Sequence, residues 1–233
     1  MDEPVYQYGV KIESETEEVK VDSKTFKYCK IINADEIYNA LAAMDDAQDD
    51  VTDERIPYWT ELWPSALALS EFILKNRQLF KEHFLFHEIG CGLALPAMVC
   101  ADMGYRTIFS DYAEPALSFA LRSCKLNGLD TPEAYLLDWR HIPKDFQRCN
   151  VLLAADVAYE KRMFQTVIEV FEKLTLPDGL ILFAEPNRGY AKEFYDMLMV
   201  AGFSVEKTET VVELKNFSHH VNVCVIRKNH SSE

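Results

Sequence analysis

Long hydrophobic runs are missing from this 233-residue sequence. No apolar stretch approaches the roughly 20 residues that a membrane-spanning helix needs. The N-terminus is acidic and lacks the basic segment and apolar core that are typical of a secretory signal. We therefore expect a protein that has no membrane partner and resides in the cytoplasm, or else in the nucleus.

Paired cysteine motifs are also absent. The six cysteines show no CxxC spacing and are Cys29, Cys91, Cys100, Cys124, Cys149 and Cys224. Scattered cysteines of this kind predict reduced thiols rather than a disulfide framework or a zinc site. His219 and His220 are adjacent, but no third ligand lies at a useful spacing, so we expect no metal.

Basic residues are few, with 24 Lys and Arg against 38 Asp and Glu and a formal net charge of −14. Residues 1–55 alone hold 15 acidic and 6 basic side chains. An acidic surface repels nucleic-acid phosphates and attracts basic partners. We expect no nucleic-acid partner, and the charge serves either solubility or the attraction of a basic partner.

A regular alternation of strand and helix patterns begins at Trp59. Alternation of this kind predicts parallel strands with crossover helices. The predicted strands are Phe84–Ile89, Thr107–Asp111, Ala134–Asp138, Val151–Asp156 and Leu180–Glu185, and the predicted helices lie at roughly 65–79, 93–103, 114–127, 160–175 and 189–201. A glycine follows four of these helices, where a left-handed C-terminal cap is common, namely Gly104, Gly128, Gly179 and Gly202.

Two more β-like runs, Phe203–Glu213 and His220–Arg227, close the chain without a helix between them. The sequence thus predicts an α/β fold with a Rossmann-like, doubly wound, seven-stranded sheet. The sheet is expected to be mostly parallel, with an antiparallel C-terminal hairpin.

Residues 1–55 predict an acidic N-terminal extension with a small β-hairpin and a linker. Its β-like stretches, Tyr6–Ile12 and Thr25–Ile32, flank the acidic residues 13–22. A helix-like piece, Asp35–Met44, then leads into the acidic residues 45–53, which predict an exposed connection. We expect the main domain to span residues 56–228 and a disordered tail to follow at 229–233.

The most informative segment is Leu85–Pro96, an apolar run with Glu88 near its end, then Gly90 and Gly92, then an apolar helix-like start. A strand, a tight glycine turn and a helix hold nucleotide-like cofactors in α/β proteins. A dinucleotide site needs a third glycine, but Leu95 stands at that position. Glu88 also repels phosphates, so this turn favours a cationic cofactor without phosphates.

Acidic residues lie at the ends of four predicted strands: Glu88, Asp111, Asp138 and Asp156. Ligands of open parallel sheets bind at the carboxyl ends of the strands. Asp111 follows Gly92 by 19 residues, a distance typical of a carboxylate that holds the ribose hydroxyls of an adenosine. That spacing fits NAD and S-adenosylmethionine alike, and the glycine turn favours S-adenosylmethionine.

These residues resemble the class I, seven-strand S-adenosylmethionine-dependent methyltransferases, whose first motif is acid-x-Gly-x-Gly-x-Gly. The chain has Glu88, Gly90 and Gly92, with Ala94 in place of the last glycine.

A narrower resemblance, over roughly residues 55–228, is to the methyltransferase-like protein lysine methyltransferase group. Its motifs are similar to the Leu-Trp-Pro-Ser run at residues 62–65, to Asp138-Trp139, and to the Asp-x-x-Tyr of Asp156 and Tyr159.

The resemblance implies roles for the site residues. Trp63 and the Gly90–Gly92 loop would line the methionine end of the cofactor, with Glu88 near its amino group. Asp111 would hold the ribose, and Asp138 and Trp139 would flank the adenine. Ala155, at the end of the fourth strand, is assigned to the same cofactor site.

We expect catalysis to depend on Asp156 and Tyr159. Asp156 would orient an incoming amine, and Tyr159 would form part of the wall around it. Glu185 would add a polar rim, and Tyr58 and Trp59 either complete an aromatic entrance or anchor the preceding segment.

The leading hypothesis is a monomeric methyltransferase that acts on a lysine side chain of a protein, and the acidic surface favours a basic protein. Two alternatives stay open: methylation of a small amine or N-heterocycle, and a non-catalytic module that binds the cofactor and a partner. An N-terminal segment folded over the pocket would favour the small molecule. An NAD-dependent oxidoreductase is the weakest alternative, because the glycine turn does not suit a pyrophosphate.

Overall fold

The computed structural model describes residues 3–44, 56–129 and 132–229. Two antiparallel hairpins and a helix come first: β1 (Tyr6–Gln7) with β2 (Val10–Lys11), β3 (Ser14–Val21) with β4 (Lys24–Ile31), and α1 (Ala34–Ala43). The expectation of a small N-terminal β extension is confirmed. The acidic connection predicted at 45–53 lies outside the described residues, as do residues 230–233 of the predicted tail.

Two details of that extension differ from the prediction. The acidic residues 13–22, expected to join two strands, instead contain strand β3, because Val19 and Val21 alternate with exposed charged residues and bury one face. The predicted strand Tyr6–Ile12 is split by a turn at Tyr8 and Gly9, where φ is +51° and +79°.

The remaining elements alternate along the chain. The helices are α2 (Pro64–Lys75), α3 (Leu95–Asp102), α4 (Glu114–Leu126), α5 (Phe164–Leu174) and α6 (Ala191–Val200). The strands are β5 (Leu85–Ile89), β6 (Arg106–Asp111), β7 (Glu133–Leu136), β8 (Cys149–Ala155), β9 (Thr175–Glu185), β10 (Phe203–Leu214) and β11 (Phe217–Lys228). None of the helices in the described ranges is long and apolar enough to cross a membrane.

These seven strands form one sheet in the order β10-β11-β9-β8-β5-β6-β7. Strands β7, β6, β5, β8 and β9 pair in parallel, whereas β11 is antiparallel to both β9 and β10. The predicted doubly wound seven-stranded sheet with a C-terminal hairpin is confirmed. The chain order reverses on either side of β5, so the loops after β5 and β8 diverge and leave a crevice between them.

Both faces of the sheet are covered. One face carries α2, α3 and α4 together with the β3–β4 hairpin, and the other carries α5 and α6. The hairpin is joined to α4 by hydrogen bonds from the Cys29 amide to Ser123 Oγ (3.0 Å) and from the Lys27 amide to Asn127 Oδ1 (2.9 Å). The buried residues Phe26 and Tyr28 therefore belong to the same core as the sheet.

The predicted glycine caps are confirmed at Gly104, Gly128 and Gly202, where φ is +85°, +65° and +84°. The prediction was wrong at Gly179, which lies within β9. Helix α5 passes directly into β9, and the ladder steps from Cys149 paired with Thr175 to Val151 paired with Leu180. A Cβ at Gly179 would lie 2.6 Å from Thr175 Cγ2, so this glycine provides space within the irregular strand.

His87, at the centre of β5, is fully buried, and its Nε2 lies 2.8 Å from Ser110 Oγ. Burial lowers the pKa of His87 to about 3. In the unfolded chain this histidine is protonated below about pH 6.5, whereas in the folded chain it stays neutral down to about pH 3. The free energy of unfolding is therefore expected to lose about 1.4 kcal/mol per pH unit from this group as pH falls through that window.

Urea unfolding at pH 7, 6 and 5 checks this expectation. His87→Gln should show a shallower loss of stability than the wild-type chain, whereas His83→Gln, at an exposed position, should match the wild-type slope. Equal slopes for wild type and His87→Gln would contradict the assignment.

Candidate active site

A cavity of about 340 Å³ opens at the carboxyl ends of β5, β6 and β8. All ten residues selected from the sequence line it: Trp63, Glu88, Gly90, Gly92, Asp111, Asp138, Trp139, Ala155, Asp156 and Tyr159. The structure thus brings them together, while the role of each stays a prediction. The lining also includes residues that were not selected from the sequence, among them Met163 and also Tyr112 and Arg140, which directly follow selected residues.

The turn after β5 has three residues in the left-handed region. The φ angles of Gly90, Gly92 and Ala94 are +55°, +50° and +57°. A Cβ at Gly90 would lie 3.1 Å from Val157 Cγ1 and 3.3 Å from Trp139 Cζ2, so these two side chains would have to shift by a few tenths of an ångström. Glycine is needed there for both its φ angle and its small size.

The left-handed backbone of Ala94 is strained, because a residue with a Cβ costs about 1–2 kcal/mol in that conformation. Ala94→Gly is expected to raise the free energy of unfolding by about 0.5–1 kcal/mol, since glycine's flexibility in the unfolded chain offsets part of the relief. Ala97→Gly, inside α3, is the matched control and should lower it by about 1 kcal/mol. Urea unfolding of both variants checks the opposite signs, and a destabilised Ala94→Gly would contradict the argument.

Glu88 is buried at the base of the turn, and its Oε2 accepts a hydrogen bond from the Ala97 amide (2.8 Å) in the first turn of α3. Burial, together with the nearby Asp111, raises the pKa of Glu88 well above its usual range. A cationic group in the cavity would stabilise the ionised carboxylate. The structure therefore places a buried acid where a positive ligand is favoured.

Asp111 ends β6 and holds the glycine turn in place. Its Oδ2 accepts from the Gly92 amide (3.0 Å) and its Oδ1 from the Ala113 amide (2.9 Å). Burial raises the pKa of Asp111, and these amide bonds oppose the shift. A carboxylate offers about four acceptor sites, so beside the Gly92, Ala113 and Tyr112 amides the Asp111 carboxylate keeps acceptor capacity for a ligand hydroxyl.

Asp138 lies two residues beyond the end of β7 and caps a short 3₁₀ helix at Trp139–His141. Its carboxylate accepts from the Arg140 guanidinium (Nη2 to Oδ2, 2.8 Å) and from the Arg140 amide (2.9 Å). These bonds hold the pKa of Asp138 well below its usual range. The adenine that Asp138 is expected to flank would therefore meet a carboxylate that is already paired with Arg140.

Three aromatic side chains form one wall of the cavity. The Tyr58 ring lies edge-on to Trp63, with centroids 6.1 Å apart, and to Tyr159, with centroids 5.3 Å apart. Trp63 Nε1 donates to the Tyr58 carbonyl oxygen (2.9 Å). Trp59 differs, because it is buried and stacks on Phe119 (5.9 Å). Tyr58 thus joins the aromatic wall, whereas Trp59 contributes to the cavity lining and also anchors the segment in the core.

Asp156 follows the last residue of β8 and has φ +56°. Its Oδ1 accepts from Arg188 Nη2 (2.7 Å). Burial raises the pKa of Asp156, and Arg188 opposes that shift. Glu185, expected at the rim, is instead buried outside the cavity lining, where it accepts from Tyr195 Oη (2.8 Å).

A sequence model of the lysine methyltransferase family matches residues 48–200. The chain belongs to this family. The match includes the ten strands and helices from α2 through α6, among them β5, β6 and β8, at whose ends the cavity opens.

Curated relatives of low identity include both a histone-arginine and a protein-lysine methyltransferase. The histone-arginine methyltransferase METTL23 of Mus musculus is 29% identical over 118 residues, which cover 48% of this chain and 46% of that protein. The protein-lysine methyltransferase METTL21E of Mus musculus is 26% identical over 172 residues, covering 66% and 70%. The chain spans about half the length of the METTL23 proteins that it matches.

Solved structures share the fold. The magnesium protoporphyrin IX methyltransferase of Synechocystis PCC 6803, solved with bound S-adenosylmethionine, superposes with a TM-score of 0.55 at 16% identity and covers 78% of this chain and 86% of that one. At that identity the likeness establishes the architecture alone. Within the described residues no group of three or more His, Cys, Asp or Glu side chains is arranged to hold a metal ion.

Proposed function

We propose that this protein is an S-adenosylmethionine-dependent methyltransferase that methylates a lysine side chain of a protein. Membership of the lysine methyltransferase family supports the reaction class. The observation that carries the proposal is the cavity itself, in which buried acids, a glycine turn and an aromatic wall converge at the strand ends.

The residues present fit S-adenosylmethionine. The fit rests on Glu88 and Asp111, two buried acids in the cavity lining, whose ionised carboxylates would pair with a positive ligand and repel a phosphate. Gly90 adds a turn that a Cβ would obstruct. In this proposal Glu88 and Gly92 hold the amino-acid end, Asp111 the ribose, and Trp139 the adenine, with Trp63, Asp138 and Ala155 completing the binding site.

The bound cofactor would supply an electrophilic methyl group on a sulfonium. The chain's own task is then to align a nucleophile and exclude water, and good alignment corresponds to effective molarities of about 10⁵–10⁸ M. A lysine amine has an ordinary pKa of about 10.4, so it must lose a proton before it reacts. The aromatic wall of Tyr58, Trp63 and Tyr159 favours the neutral amine by desolvation. Asp156 orients the amine and accepts a hydrogen bond from it.

A protein substrate is favoured over a small molecule by the position of the N-terminal hairpins. The cavity is lined by residues between Tyr58 and Met163, and residues 3–44 contribute none of its lining. A described N-terminal segment that closed the mouth would favour a small amine, and this segment packs on α4 instead. The net charge of −14 suits a basic protein.

We further propose a monomer in the cytoplasm or nucleus that binds no nucleic acid. The division into an extension at 1–55, a methyltransferase domain at 56–228 and a tail is likewise part of this proposal.

Radiolabelled S-adenosylmethionine, incubated with a proteome extract and the purified protein, tests the function. Labelled protein bands that yield methyl-lysine after acid hydrolysis would support the proposal. Label confined to small molecules would contradict it, and calorimetric binding of NAD without binding of S-adenosylmethionine would contradict the cofactor.

A further inference from the structure

Arg188 lies in the loop after β9, and its guanidinium reaches Asp156. Nη2 of Arg188 donates to Oδ1 of Asp156 at 2.7 Å. Asp156 lines the cavity, whereas Arg188 does not. The cation therefore contacts the carboxylate from outside the cavity lining and leaves the cavity itself free of its side chain.

The loop that presents Arg188 is firmly anchored. Its backbone amide donates to Glu185 Oε2 (2.9 Å), and Glu185 Oε1 accepts from Tyr195 Oη (2.8 Å) and Asn222 Nδ2 (2.5 Å). Asn187, with φ +54°, reverses the chain just before Arg188. Because Glu185 is buried and held by two elements, the position of Arg188 is fixed by the fold.

The second carboxylate oxygen of Asp156, Oδ2, accepts no hydrogen bond from Arg188. Oδ2 is buried and has no hydrogen-bond partner among the described residues. A buried acceptor without a donor costs about 1–3 kcal/mol. Asp156 also holds a left-handed backbone conformation, of the strained kind that clusters at functional sites. Oδ1 thus accepts a hydrogen bond from Arg188, and Oδ2 is left without a donor among the described residues.

We propose that Arg188 makes the site selective for a primary amine over a guanidinium, by occupying one oxygen of Asp156 and leaving the other for the acceptor. This inference rests on the proposed function. A guanidinium binds a carboxylate best as a fork that uses both oxygens, whereas an amine needs one. Arg188 is a positioning residue, because it acts through Asp156.

The test compares wild type with Arg188→Met, which has a similar stem and no donor, and with Arg188→Lys, which keeps a cation. Each is incubated with labelled S-adenosylmethionine and the same extract, and the labelled protein is hydrolysed to separate methyl-lysine from methyl-arginine. Wild type should give methyl-lysine. Arg188→Met should lower its rate of formation at least 10-fold and raise the methyl-arginine share, while Arg188→Lys stays within about threefold of wild type.

Two controls isolate the effect. Arg227→Ala removes an exposed arginine paired with Glu206 on the C-terminal hairpin and should behave as wild type. Calorimetry should show unchanged cofactor binding for each variant. Should Arg188→Met fail to fold, Arg188→Leu, which also lacks a donor, takes its place with the same expected loss.

The possible failures are distinguishable. A wild-type protein that labels no protein overturns the proposed function and this inference with it. Wild type that gives chiefly methyl-arginine, or a folded Arg188→Met with the wild-type rate and product ratio, overturns the inference on Arg188 and leaves the methyltransferase itself standing.

Discussion

Asp111→Ala is expected to weaken the binding of S-adenosylmethionine by at least 100-fold. Its carboxylate would hold two ribose hydroxyls, and a hydrogen bond to a charged group contributes about 1.5–3 kcal/mol. The loss of two such bonds corresponds to about 10²–10⁴-fold in the dissociation constant. The variant also removes the acceptor of the Gly92 amide, which frees the glycine turn.

Isothermal titration calorimetry with S-adenosylmethionine and S-adenosylhomocysteine measures this effect. Asp102→Asn is the matched control, because Asp102 is an acid at the end of α3 that pairs with Lys24 and lies outside the cavity lining. Its dissociation constant should equal that of wild type. A folded Asp111→Ala that keeps wild-type affinity would show that the ribose is held elsewhere.

Asp156→Asn is expected to reduce kcat by about 10²–10³-fold with little change in cofactor affinity, in line with the usual effect of losing a positioned proton acceptor. The amide has nearly the same shape as the carboxylate, but it neither stabilises an ammonium nor accepts its proton. Arg188 would then lie beside a neutral group.

Steady-state methylation of the labelled acceptor protein, together with calorimetry, separates the two parameters. Asp196→Asn, an exposed acid paired with Lys192 on α6, should leave both unchanged. If Asp156→Asn lost cofactor binding and Asp111→Ala lost turnover alone, the two assigned roles would have to be exchanged.

The sheet was predictable because its signals are local. Parallel strands buried on both faces appear in the sequence as short apolar runs, and each connecting helix has a strong pattern of its own, so β5, β6 and β8 lie close to their predicted bounds. Strand β9 ends at the predicted Glu185 but begins at Thr175 rather than at Leu180. Strand β3 was missed because a two-stranded hairpin buries only one face. Its three acidic side chains, Glu15, Glu17 and Glu18, obscure the pattern of the two buried valines at its end.

The candidate site was predictable as a set, because residues at strand ends converge whatever the details of their loops. The ion pairs that its acidic residues form were not predictable. Arg140 on Asp138 and Arg188 on Asp156 join residues 2 and 32 positions apart, and both depend on the paths of loops. Charged side chains in loops give no periodic signal. A sequence therefore shows that an acid is present but not which cation forms an ion pair with it.

The β3–β4 hairpin shows that the folded unit is longer than the segment that matches the family. The matched segment, 48–200, leaves out β3 and β4 at one end and β10 and β11 at the other. Phe26 and Tyr28 from the first pair, and Val221 and Val223 from the second, lie in one continuous core with α2. A chain trimmed to the region of similarity would open that core on two sides, so the boundaries for expression should follow the buried residues rather than the alignment.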